Sequence, residues 1–114
     1  MSILVSSALA LLVQSGGGQV EAPPYADLVR CYAVYNMGAD AVMPDMDRAN
    51  RIGVVAEATA VMAVGVGGRS GKSEAAVNQE LNESVQQYID QGREPGQMIG
   101  DMAACDRVTR MSSR

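Results

Sequence analysis

Cys31 and Cys105 stand near opposite ends of a chain of 114 residues, and each falls in the middle of a helical repeat. In residues 23–38, PPYADLVRCYAVYNMG, the side chains Leu28, Cys31, Tyr32 and Tyr35 recur at the three- and four-residue spacing of one helical face. The Pro23-Pro24 pair suits a helix start, where a missing N–H is harmless, and Gly38 suits the left-handed position just past a helix end. In residues 95–111, PGQMIGDMAACDRVTRM, a face of Met98, Ile99, Met102, Cys105 and Val108 opposes Asp101, Asp106, Arg107 and Arg110. Each cysteine therefore lies on the apolar side of its own helix. Packing those two faces together brings the sulfurs into one core seam, and a Cys31–Cys105 disulfide follows if the Cα atoms approach closely enough.

The compartment decides whether such a bond persists. Residues 1–13, MSILVSSALALLV, are apolar and are followed by the small and polar run QSGGGQ. That is the layout of a secretory signal peptide, and it is too short to span a membrane. Its n-region has only the α-amino group for positive charge. Cleavage after Ser15, Gly16 or Gly18 fits, so residues 1–18 are expected to be a leader and 19–114 a single domain. Arg30 directly before Cys31 is wrong for lipid attachment. Export to the periplasm or beyond the cell makes the disulfide chemically reasonable. Closing so long a loop is worth about 4 kcal/mol in the chain-entropy model, a large share of the stability of a domain this small.

The middle of the chain reads as two more helices. Asp45 fits an N-cap, and Asp47 adds negative charge to the first turn, where the helix dipole favours it. From residue 46 to about 64, MDRANRIGVVAEATAVMAV, only Glu57 and Thr59 are polar beyond Ile52. The β-branched residues would suit a strand, but the alanines and the length favour a helix. A helix apolar nearly all round is either central to its fold or has a face left for a partner. If it is central, Val61→Asp would be severely destabilising. GVGGRSG at 65–71 breaks the chain, Ser73 caps a third helix running to about Gln91, and Val77, Leu81, Val85, Tyr88 and Ile89 form its apolar stripe. Gly92 ends it and Pro95 opens the last. The expectation is an all-α fold, a small up-down-up-down four-helix bundle whose first and last helices can be neighbours.

Motif by motif, the chain offers little chemistry. Gly71-Lys72-Ser73 ends like a phosphate loop, but the glycine needed five residues earlier is Val66, and no clear strand precedes it. Asp45-Met46-Asp47 begins like a calcium loop, then places Asn50 where the sharp-turn glycine belongs and Ala56 at the last ligand position. Met37, Met43 and Met46 cluster, and Met98 and Met102 lie one turn apart, but without histidine they read as core or interface filling rather than a copper site. Tyr25, Tyr32, Tyr35 and Tyr88, the aromatics of the chain, suit core positions with the hydroxyl at the rim. Asn82-Glu83-Ser84 fits a glycosylation acceptor, which matters only in a eukaryotic secretory pathway.

With no His, Trp or Phe and a formal net charge of −4, the chain lacks the basic patch that phosphate contacts require. Neither nucleic acid nor an anionic membrane surface is an expected partner. No catalytic, metal-binding or nucleotide-binding residue and no cofactor is assigned. Glu57 is the one acid set inside an apolar helix, and a solvent-facing role suits it better than acid–base work. The function expected is that of an exported, non-enzymatic helical protein that works by contact with another protein or with itself. The alternative is a small-molecule carrier with a pocket between helices, lined by methionines and tyrosines.

Overall fold

The computed structural model describes residues 21–114, and the expected leader lies outside them. The described chain forms four helices: α1 (Tyr25–Ala41), α2 (Met46–Arg69), α3 (Glu74–Asp90) and α4 (Pro95–Thr109). The start and stop signals account for most boundaries. Asp45 accepts a hydrogen bond from the Arg48 N–H at 3.0 Å, and Ser73 accepts one from the Ala76 N–H at 3.1 Å, so both side chains satisfy a free donor of their helix. Pro95 is the first residue of α4, where Gln97 accepts from the Glu94 N–H at 2.9 Å. Gly92 takes a positive φ of 63° in the turn between α3 and α4.

Two glycines behave differently from the sequence expectation. Gly38 does not end α1; the helix continues through it to Ala41. Gly38 is buried, and a Cβ there would collide with the Met102 sulfur, so glycine is present to let α4 approach. The break after α2 is also shorter than GVGGRSG suggests, since the helix runs on to Arg69. Gly67 sits in that last turn, where a Cβ would come within 2.8 Å of Val77 and 2.9 Å of Tyr25. Close packing explains this glycine, and the break itself contracts to Ser70–Ser73 around Gly71, at φ 90°.

The hub of the bundle is α1, not α2. It packs against each of the other helices, whereas α2 also packs on α3. One core cluster joins Cys31, Val34 and Tyr35 of α1 to Ile52 and Val55 of α2, Tyr88 of α3, and Met102 and Cys105 of α4. A smaller one joins Leu28, Ala63, Val77 and Leu81 at the other end. Of the two readings of α2 from sequence, central or with a face left over, the central one, which would bury Val61, is set aside: Val61 is 72% exposed. Composition alone could not choose between them, because α2 is apolar beyond what its buried stripe needs. Ile52, Val55, Ala56, Thr59, Ala63 and Gly67 face inward, Ala49, Ala60, Met62, Val64 and Val66 pack half-buried at the edges of that stripe, and Val54 and Val61 are left facing outward.

The sulfurs of Cys31 and Cys105 meet at bonding distance in this core, on Cα atoms 5.6 Å apart and with no exposed area on either residue. Beyond α4 the chain turns at Arg110, a non-glycine residue at φ 61°, and folds back. Ser113 is buried, donating from both its N–H and its hydroxyl to Asp106 Oδ2 at 3.1 and 3.0 Å. Arg48 and Arg51 donate to the carbonyls of Ser113 and Arg114 at 3.3 and 3.1 Å, tying the tail to the start of α2.

Candidate contact surface

The outward side of α2 is the most unusual surface of the described residues. A helix of this apolar content normally hides on most sides. Here Val54 is 68% and Val61 72% exposed. At 100° per residue, Val54, Ala58, Val61 and Gly65 fall along one line of the helix. Nothing lies within 4 Å of where a Cβ would stand on Gly65 or Gly68, so these glycines, unlike Gly67, gain no packing inside the fold. By length and composition α2 alone among the described helices would suit a membrane span, although its inner stripe is built into the bundle.

Charge on this surface lies at its two ends, with one acid between them. Asp47 is exposed at the start of α2 and Arg69 at its end, each at the helix terminus its sign suits. Glu57 is exposed near the middle, and takes no part in the ion pairs of the described residues, which are Arg30–Asp27, Lys72–Glu80 and Arg93–Asp101. No acid–base partner gathers around it. Glu57 is the solvent-facing residue of an apolar face.

Polar chemistry concentrates instead where the helices meet, in a pattern the spacing of the tyrosines did not reveal. Tyr25 donates to Glu80 Oε1 at 2.5 Å, Tyr35 to Asp106 Oδ1 at 2.8 Å, and Tyr88 to Asp101 Oδ2 at 2.5 Å. Each bond runs from a tyrosine on one helix to a carboxylate on another. Burial, reinforced by the facing carboxylate, pushes the Tyr25 and Tyr88 hydroxyls up to about 12, and burial likewise raises Tyr35. Burial works against an ionised Asp101, but donation from Arg93 and Tyr88 outweighs it and the carboxyl is held below its usual range. The Tyr25 and Lys72 bonds lower Glu80 in the same way. These groups brace the bundle; each acid already has its donors.

The residues flagged in the sequence take ordinary structural places. Lys72 reaches Glu80 at 3.0 Å and lies 5.3 Å above the Tyr25 ring, so its ammonium closes the end of the bundle, while Ser73 caps α3. Met102 is buried against Gly38, and Met37 and Met98 pack on the core. Met43 is exposed in the α1–α2 connection and Met46 at the first residue of α2. An open groove of about 470 Å³ lies between α1 and α3. Tyr25, Arg30, Glu80, Ser84, Gln87 and Tyr88 are among its lining residues, and no methionine is.

No family model matches this chain, and neither the curated proteins nor the solved structures compared with it yield a match.

Proposed function

We propose that this is an exported, disulfide-tied helical protein that works by protein contact rather than by catalysis, and that the outer face of α2 is the contact. The carrying observation is the exposure of Val54 and Val61 on a helix more apolar than its place in the bundle requires. The bonded pair Cys31–Cys105, buried and joining the hub helix to the last, suits a periplasmic or extracellular setting. It also leaves both thiols unavailable as nucleophiles. The α1–α3 groove is open, mixes acids, arginine and amides, and has no methionine in its lining, so it supports the carrier reading less well.

A photo-reactive amino acid placed at Val61 in the living host tests the contact. The expected result is an adduct of discrete mass, absent when the probe replaces Gln86, an exposed residue of α3. Equal diffuse labelling from both positions would overturn the proposal.

A further inference from the structure

This inference rests on the α2 contact and names what covers it. We infer that the outer face of α2 is covered by the same face of a second copy, the helices antiparallel about a two-fold axis at Ala58. A two-fold contact must be self-complementary: whatever lies a given distance before the axis meets what lies the same distance after it on the partner. Asp47 and Arg69 are both exposed and lie eleven residues on either side of Ala58 (58 − 47 and 69 − 58). An antiparallel pair therefore sets each acid beside the other copy's arginine, about 16 Å from the axis at 1.5 Å per residue. A parallel pair would set like charge against like.

The intervening positions follow the same symmetry. Val54 stands four residues before Ala58 and Val61 three after it, so the two most exposed valines come within one residue's rise, about 1.5 Å, of facing each other across the pair. Gly65, seven residues beyond Ala58, has open space where its Cβ would stand, while Arg51 at the matching position before the axis is held aside by the Arg114 carbonyl. Glycine inside a helix is destabilising by about 1 kcal/mol relative to alanine, and within one copy Gly65 gains nothing in exchange. Ala58 on the axis is small enough for the backbones to approach. Glu57 is the discordant group, since the axis brings the two carboxylates near each other and weakens the association.

The test is made on the leader-free, oxidised protein by sedimentation equilibrium, beside cysteine cross-linking. The wild type is expected to be a reversible dimer. Asp47→Arg alone and Arg69→Asp alone should each weaken it at least about tenfold, the double variant Asp47→Arg/Arg69→Asp should restore it, and Glu57→Gln should tighten it. A cysteine at Ala58 should lock the dimer covalently, whereas one at Asp47 should not, because its copies stand about 33 Å apart along the helices. A dimer indifferent to both charge reversals, or one locked equally from position 47, would overturn the antiparallel register. A protein monomeric up to millimolar concentration would overturn the second copy. In that last case a discrete Val61 adduct of any mass other than twice the chain would leave the contact reading intact with a different partner.

Discussion

Tyr35 of α1 donates to Asp106 of α4 at 2.8 Å, and the same carboxylate accepts from the buried Ser113 beyond the helix end. One acid thus fastens the last helix to the hub and the tail to the last helix. Tyr35→Phe removes the hydroxyl and leaves a partly buried carboxylate short of one donor. Hydrogen bonds to charged groups are worth about 1.5–3 kcal/mol, and a loss of that size is expected in urea unfolding. Tyr32→Phe is the control. Its oxygen accepts only an exposed 3.3 Å bond from Asn36 and the change should move stability by less than about 0.5 kcal/mol.

Val61→Asp is expected to be nearly neutral for the monomer, within about 0.5 kcal/mol, because the side chain already faces water. Ala63→Asp, two residues on, places an unpaired charge in the core beside Leu28, Val77 and Leu81 and should prevent folding. Thermal unfolding by circular dichroism separates the two. Equal damage from both would mean that α2 is turned the other way.

That pair also shows how far the sequence reached. Helix number, order and type were legible, because caps at Asp45 and Ser73, Pro95 and Gly92 are local signals that fix a boundary without reference to the rest of the fold. Which helix is the hub was not legible. That depends on how many neighbours a helix has, and α2 carries apolar residues on both its inward and outward sides. Gly38 misled for a related reason, since a glycine that ends a helix and one that admits Met102 look the same in one dimension. The tyrosine–carboxylate bonds join positions as far as 71 residues apart and have no local signature.

Gly38→Ala and Gly53→Ala should move stability in opposite directions. At Gly38 a methyl group meets the buried Met102 side chain, and overpacking of this kind costs about 1–3 kcal/mol. At Gly53 the Cβ site is open and mid-helix, so alanine should add about 0.5–1 kcal/mol. Denaturant midpoints at constant slope provide the comparison.

Stability should fall away on both sides of neutrality, from different groups. Glu80 and Asp101 hold their protons less firmly in the folded protein than in the unfolded chain. Their contribution is therefore complete above the unfolded carboxylate pKa near 4, and is lost as the pH falls below it toward the folded values. Tyr25 and Tyr88, pushed up to about 12 from 10.0, hold protons that the unfolded chain releases. Their contribution is complete below pH 10 and is lost as the pH rises from there to about 12. Asp101→Asn should flatten the acid limb of Tm against pH, and a Tyr25→Phe/Tyr88→Phe variant the alkaline limb. A wild-type alkaline limb unchanged in that double variant would contradict the assignment.

The bond between hub and last helix, and the export proposed with it, are tested most directly by intact mass of the non-reduced protein recovered from its native host. The account predicts a chain beginning near residue 19 and lighter by the mass of two hydrogens than its fully reduced form. A full-length chain carrying two thiols that alkylate without prior reduction would contradict it.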